Sequence, residues 1–255
     1  MVIINADDFG LNSSVNHAIV ESFERNYITS TTIMANMPGF EEAVSLAKEN
    51  KLTGKIGIHL NLTQGIPLTE NILSSNLFYN KNNTDLKKHK RRLFFLSKKE
   101  KEIIFKEFSA QVEKVRNAGI EITHIDSHHH IHEVWPVTKL VLALLKKYQI
   151  PSMRILNNLN QSTGFHKLYY RNFVNNRIKS KEANLTGFFG SQLQTFAQLK
   201  KNPSVFNDAK LEMMVHPDYN NSGILVDKIK DREYYFEYPD DFKKLISLNN
   251  QLKSA

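Results

Sequence analysis

The segment MVIINADDFGLNSSVNHAIVESFE, residues 1–24, predicts a strand followed at once by a helix. Val2–Asp7 is a short apolar run that ends in polar residues, which is typical of a buried strand. Asn12 or Ser13 can cap the helix that follows. The apolar residues of that helix recur at helical spacing: Val15, Ala18, Ile19 and Phe23. A strand–helix unit of this kind is the repeating element of parallel α/β folds.

The same alternation continues along the chain. Further strands are predicted at Thr29–Met34, Lys55–Thr63, Glu121–His128, Ser152–Leu156, Asn184–Phe189 and Leu211–His216. Helices are predicted from Phe40, over Ser97–Asn117, from Pro136 and over Pro239–Leu248. Strands that alternate with helices are parallel and joined by right-handed crossovers. We therefore expect a single α/β domain over residues 1–255 with a (β/α) barrel-like fold, in a regular or an irregular and incomplete form, rather than an open doubly wound sheet.

The composition excludes several classes of protein. The chain has 255 residues, of which 41% are apolar and 24% charged, as in soluble globular proteins. It contains no cysteine, which excludes disulfide scaffolds, thiolate zinc sites and cysteine nucleophiles. No apolar run approaches the ~20 residues of a membrane helix, and the N-terminus turns acidic at Asp7, unlike a signal peptide. We expect a cytoplasmic protein that binds no membrane.

The formal net charge of +8 is unevenly spread. Lys87–Arg92 carries much of it, within the irregular, Asn- and Lys-rich segment Gln64–Leu96. No aromatic RNA-binding motif accompanies this basic cluster, so we expect a solvated loop and no nucleic-acid partner. The cluster could also attract a phosphate group on a substrate by long-range steering.

Ionisable side chains fall at or near the ends of five predicted strands. They are Asp7 and Asp8, His59, Asp126 and His128, Arg154, and His216. Each taken singly also suits a packing or turn role. In parallel barrels, however, the C-terminal ends of the strands carry the active site. Because adjacent strand residues point to opposite faces, Asp7 and Asp8 need a local twist to converge.

Residues 123–132, THIDSHHHIH, hold five of the ten histidines. If strand geometry persists here, Asp126, His128, His130 and His132 share one face. Histidine is the commonest metal ligand, and this clustering indicates a metal site. One carboxylate and two imidazoles with open positions make a hydrolytic centre, and a second carboxylate can act as general base.

The motifs together resemble the YdjC-type carbohydrate deacetylases, which include chitooligosaccharide deacetylase. The segments that carry the resemblance are Ile4–Leu11 (INADDFGL), Gly57–Thr63 (GIHLNLT), Thr123–His132 (THIDSHHHIH) and Met214–Pro217 (MVHP). The resemblance implies a barrel-like fold and hydrolysis of an N-acetyl group from a sugar containing N-acetylglucosamine. It also implies a divalent metal, magnesium first, with zinc or manganese as alternatives.

Residue roles carried over from the family follow the motifs. Asp8, His59 and His128 would be the metal ligands. Asp7 would be the base that deprotonates the attacking water, although the roles of Asp7 and Asp8 could be reversed. His216 would be the acid that protonates the leaving amine, and Arg154 would orient Asp7.

The expected substrate is a short, soluble, chitin-derived disaccharide, phosphorylated or not. A symmetric homo-oligomer is the default expectation for the oligomeric state, because most soluble oligomers are of this kind. Two alternatives stay open at this stage. The chain could be a metal-dependent hydrolase of another bond, such as an amidohydrolase or phosphoesterase. It could also be a basic binding protein with a structural metal, although structural sites are closed four-ligand cages.

Overall fold

The computed structural model describes residues 1–73, 92–159, 164–180, 186–202, 204–207 and 210–253. Six parallel strands in these residues form one sheet in the order β4-β3-β2-β1-β6-β5. They are β1 Val2–Phe9, β2 Ser30–Ile33, β3 Ile56–Leu60, β4 Ile125–Ser127, β5 Phe188–Ser191 and β6 Leu211–Val215. The sheet is curled and open along one side, so the predicted barrel-like α/β fold is confirmed in its incomplete form.

The helices connect the strands and cover the outside of the sheet. They are α1 Ser13–Glu24, α2 Phe40–Glu49, α3 Glu70–Leu73, α4 Lys98–Asn117, α5 Trp135–Tyr148, α6 Phe165–Lys179, α7 Gln192–Lys201 and α8 Asp240–Lys253. The predicted caps are confirmed: the Asn12 side chain accepts the N–H of Val15, and Ser97 and Glu100 form a capping box. One continuous core of apolar side chains lies between helices and sheet.

The predicted strand Ser152–Leu156 is reduced to a single bridge. Met153 pairs with Ile125 of β4, and no longer strand forms in this segment. The chain nevertheless runs alongside β4, since Ile125 donates to Ser152 and Arg154 donates to Ile125 through their backbone groups, both at 2.9 Å. This short pairing is enough to aim the Arg154 side chain into the sheet interior, where it is 1% exposed.

A second sheet follows β6 and was not predicted from the sequence. It contains the antiparallel strands β7 Pro217–Tyr219, β8 Leu225–Ile229 and β9 Arg232–Tyr234. The turn between β7 and β8 is built on Asn220, whose side-chain oxygen accepts two backbone N–H groups, and on Gly223 at φ +73°. This sheet brings β8 alongside the end of β6.

The expectations about the basic cluster and about membrane helices can be compared with the described residues only. The basic residues Lys87–Arg91 and most of the irregular segment Gln64–Leu96 lie outside them. Across the part of the chain that the structure covers, no helix combines the length and the apolar character that crossing a bilayer requires.

Candidate metal centre

The two neighbouring carboxylates at the end of β1 converge because the backbone twists between them. The register between β1 and β2 shifts between Ala6 and Phe9, and Asp8 adopts a left-handed conformation with φ 73°. This is the local twist that the sequence required. Left-handed backbone is uncommon outside glycine and clusters at functional sites. As a result, Asp7 and Asp8 line the same cavity.

This cavity lies at the C-terminal ends of the parallel strands and has a volume of about 480 Å³. Its lining includes most of the predicted site residues: Asp7, Asp8, His59, His128 and His216. The second sheet closes one side with Lys228 and Lys230. Asp7, His59 and His128 are buried, so the polar groups are concentrated at the bottom of the cavity.

Three of these residues form a group that could hold a metal ion. Asp8 Oδ1 lies 3.2 Å from His59 Nε2 and 2.9 Å from His128 Nδ1. One carboxylate oxygen and two imidazole nitrogens are thus brought together from β1, β3 and the turn after β4. Such a donor set suits a divalent cation in a catalytic site, where three protein ligands leave positions open.

The second nitrogen of each histidine is held by an acceptor. His59 and Asp126 are directly paired in register on β3 and β4, and His59 Nδ1 lies 2.6 Å from Asp126 Oδ1. His128 Nε2 lies 3.0 Å from Gln64 Oε1. Metal-bound histidines almost always donate their other N–H to such a group. The residues present therefore fit a metal at Asp8, His59 and His128.

Charges around this group shift its pKa values. Burial opposes the ionised form of Asp8, but the two histidines outweigh it and hold the pKa of Asp8 well below its ordinary value. Burial would lower the pKa of His59, but the Asp126 carboxylate raises it to about 10. Both pKa shifts show that the Asp8 carboxylate and the two imidazoles interact strongly with the charges around them.

A second group of potential ligands, Asp7, His59 and Asp126, is already neutralised by the chain itself. Arg154 donates to both oxygens of Asp7 at 2.7 and 2.8 Å and lies 2.7 Å from Asp126 Oδ2. Its Nε also donates to Glu212 at 2.6 Å. Since a guanidinium occupies the space between these carboxylates, a metal ion would fit the Asp8 group rather than this one.

Arg154 also fixes the charge of Asp7. Burial alone would raise the pKa of Asp7, but the Arg154 guanidinium holds it well below its ordinary value. Asn5 adds a hydrogen bond from Nδ2 to Asp7 Oδ1 at 2.9 Å. Asp7 is therefore an ionised and firmly oriented carboxylate beside the candidate metal group.

His216 follows the last residue of β6 and lines the cavity. In the parallel register Ala6 pairs with Val215, so Asp7 and His216 come next on neighbouring strands. The backbone N–H of His216 donates to Asp227 Oδ1 on β8 at 2.8 Å.

The prediction that Asp126, His128, His130 and His132 share one strand face is wrong. Strand β4 ends at Ser127, and residues His128–Glu133 form a 3-10 segment. His129 and His130 both adopt left-handed backbone with φ 52°. His128 and His130 consequently line the cavity, whereas His132 is buried, with Nδ1 2.6 Å from Ser127 Oγ.

Several residues around the site were missed by sequence reasoning. Asn5 and Glu212 could have been found, because each occupies the same strand face as a named site residue two or four positions away. Asn5 lies two residues before Asp7, and Glu212 lies four residues before His216. Gln64 and Asp227 carry no such signal, since a loop and an unpredicted sheet bring them to the site.

Comparisons with known proteins find relatives over most of the chain. A family model described as YdjC-like protein matches residues 1–247. A carbohydrate deacetylase of Clostridium beijerinckii is 38% identical over 225 residues, which cover 88% of this chain and 84% of that protein. A carbohydrate deacetylase of Brevibacillus brevis is 34% identical over 227 residues, again covering 88% and 84%.

A solved structure is also similar. It is the crystal structure of an Enterococcus faecalis protein described as a cellobiose-phosphate cleavage protein, with a TM-score of 0.67 and 26% sequence identity. The match covers 87% of this chain and 82% of that one. The family match over residues 1–247 includes every strand of the parallel sheet, which ends in the sequence at Val215.

Proposed function

The chain belongs to the YdjC-like family of carbohydrate deacetylases, as its motifs predicted, and from this we propose that it is a metal-dependent N-deacetylase. It would remove the acetyl group from a short sugar that contains N-acetylglucosamine. One observation carries the proposal: Asp8, His59 and His128 meet at the cavity floor, beside Asp7 and His216.

The ligands proposed for the metal are Asp8, His59 and His128. When bound there, a divalent metal would polarise the acetyl carbonyl and make water a better nucleophile. Magnesium is our first choice, with manganese or zinc as alternatives, because a ligand set with one carboxylate, two imidazoles and no thiolate suits all three.

Asp7 would be the general base. Its carboxylate stays ionised because Arg154 donates to both oxygens, and Asn5 restrains its orientation further. It can therefore accept a proton from the attacking water as the new carbon–oxygen bond forms. Arg154 would act through Asp7, by holding it in place.

His216 would be the general acid. An amine leaves an amide poorly unless its nitrogen is protonated, and a protonated imidazole can supply that proton as the carbon–nitrogen bond breaks. Water and the N-acetyl sugar are thereby converted into acetate and the free amino sugar. His216 and Asp7 line the same cavity from adjacent strands, which suits an acid and a base that act on one substrate.

The substrate we propose is a chitin-derived disaccharide, phosphorylated or not. The cavity volume of about 480 Å³ lies within the ~300–1,000 Å³ typical of small-molecule sites. Lys228 and Lys230 line it; the Lys228 ammonium pairs with Asp218 at 3.3 Å, and Lys230 could offer positive charge to an anionic substituent. The proposal also includes a cytoplasmic setting and assembly into a homo-oligomer.

The experiment is an acetate-release assay. The purified chain is stripped with a chelator, reloaded with magnesium, manganese or zinc, and mixed with matched phosphorylated and unphosphorylated disaccharides at low and high salt. We expect acetate only from metal-loaded enzyme. No acetate with any metal would contradict the deacetylase proposal, and release of inorganic phosphate would favour a phosphoesterase. Equal kcat/KM for both sugars, without salt dependence, would remove the phosphate preference.

A further inference from the structure

The loop that follows β3 is constructed around one side chain. Asn61 Oδ1 accepts the N–H of Thr63 at 2.9 Å, the N–H of Gln64 at 3.2 Å and the Thr63 hydroxyl at 3.2 Å. Asn61 Nδ2 donates back to the Gln64 carbonyl at 2.7 Å. The Gln111 side chain binds the Asn61 backbone twice: its Oε1 accepts the N–H at 2.9 Å, and its Nε2 donates to the carbonyl at 2.7 Å. The loop therefore has one defined shape.

Two neighbouring residues restrict the loop further. Asn36 Nδ2 donates to the Gln64 carbonyl at 3.0 Å. Gly65 has φ +75°, and a Cβ atom there would lie 2.5 Å from Met37 Sδ and 2.9 Å from the Asn36 carbonyl. Only glycine is accommodated without strain at this position. The backbone that carries Gln64 is thus held from both sides.

This fixed backbone presents Gln64 to His128. Gln64 Oε1 lies 3.0 Å from His128 Nε2, while Nδ1 of the same ring lies 2.9 Å from Asp8 Oδ1. An amide oxygen only accepts hydrogen bonds, so Gln64 favours the tautomer of His128 that carries its proton on Nε2. The lone pair that a metal needs is then left on Nδ1, which is the atom turned toward Asp8 and His59.

We propose that Gln64 is a positioning residue that holds His128 in the tautomer and ring orientation required of a metal ligand. It would do for His128 what Asp126 does for His59. The inference rests on the proposed metal role of His128, and it adds a residue that no strand or histidine motif points to. The hydrogen bonds of Asn61 to this loop are the reason that an exposed glutamine can perform this task.

The test is metal affinity, measured by titration calorimetry with magnesium and with manganese on the chelator-stripped chain. Gln64→Ala removes the acceptor, and Gln64→Asn keeps the amide but shortens its reach. We expect both to bind metal about 10- to 100-fold more weakly, the usual effect of losing such a partner. Gln64→Glu keeps an acceptor at the same reach and should bind at least as tightly as the parent chain.

The outcomes separate this inference from the proposed function. Because the Gln64 side chain is exposed, all three variants should unfold at the temperature of the parent chain. Parent-like affinity in Gln64→Ala, or equal weakening in Gln64→Glu, would overturn the role of Gln64 and leave the deacetylase proposal intact. Failure of the parent chain to bind either metal would instead contradict its proposed metal site, and this inference with it.

Discussion

Asp227 lies beside His216, with its Oδ1 2.8 Å from the backbone nitrogen of His216 and 3.9 Å from the imidazole Nδ1. Asp227 Oδ2 and His216 Nδ1 are both buried, and neither has a hydrogen-bond partner in the part of the chain that the structure describes. Burial raises the pKa of Asp227 to about 6. Asp227 thus places a buried carboxylate beside the side chain that is proposed as the general acid.

Asp227→Asn should stabilise the fold at neutral pH. The pKa of Asp227 is raised from 3.8 to about 6, so the folded chain binds this proton more tightly than the unfolded chain does. Stability is therefore lost as the pH rises through this range, by at most about 3 kcal/mol, and asparagine avoids the loss. Urea unfolding at pH 4.5 and pH 8 measures the difference in free energy of unfolding between the variant and the parent chain. An equal difference between variant and parent at both pH values would contradict this reasoning.

The same variant should be a slower enzyme. An amide at position 227 can still accept the backbone N–H of His216, but it no longer places a carboxylate 3.9 Å from the imidazole of the proposed general acid. We expect kcat to fall ~10-fold or more, part of the ~10²–10⁴ that a general acid contributes, with KM little changed. Steady-state kinetics on the metal-loaded enzyme check this. An unchanged kcat would show that Asp227 does not assist His216 as general acid.

Arg154→Lys should strongly destabilise the chain. The Arg154 guanidinium is fully buried and contacts Asp7, Asp126 and Glu212, and one ammonium group cannot match that fork of donors. Breaking a buried ion pair costs about 3–5 kcal/mol. The matched control is Arg92→Lys, because the Arg92 side chain is exposed and its ion pair with Glu100 should contribute less than about 1 kcal/mol. Equal unfolding midpoints for the two variants would contradict the prediction.

Much of the fold could be predicted because it depends on local patterns. The apolar run of β1, the cap at Asn12 and the capping box at Ser97 each act within a few residues of sequence. The strand predicted at Ser152–Leu156 failed because only Met153 finds a partner, at the open edge of the sheet. The antiparallel sheet was missed because its strands of three to five residues are too short for a clear alternation.

The site was predictable where a side chain follows a strand, and not where a loop delivers it. His59 alternates with apolar residues on β3, and the structure brings it to Asp8, as expected for side chains at the C-terminal ends of parallel strands. His130 and His132 do not share the predicted face, because the left-handed residues His129 and His130 end the strand geometry in which every second side chain points the same way. Gln64 and Asp227 depend on contacts between distant elements, which a single sequence does not encode in any local pattern.

Asp7→Asn should abolish catalysis while preserving the site. Asparagine has the same size and still accepts one of the two hydrogen bonds from Arg154, which keeps its ion pairs with Asp126 and Glu212, so the variant should fold with lower stability and keep most of its metal affinity. The rate should fall at least ~10²-fold, since the amide cannot take a proton from water. Acetate release and metal titration on one preparation measure both properties. Near-normal turnover would remove Asp7 from the mechanism and favour exchanged roles for Asp7 and Asp8.

The metal ligands can be tested without any substrate. His59→Ala and His128→Ala each remove one of the two imidazoles that face Asp8 Oδ1 at 3.2 and 2.9 Å, so each should lose most of its metal affinity. His17→Ala is the control, because this histidine lies on the outside of α1 with an exposed side chain. Elemental analysis after equilibration with magnesium, manganese or zinc gives the metal content of each variant. Parent-like content and affinity in both His59→Ala and His128→Ala would contradict the assignment, since each variant keeps only two of the three proposed ligands and should hold the ion more weakly.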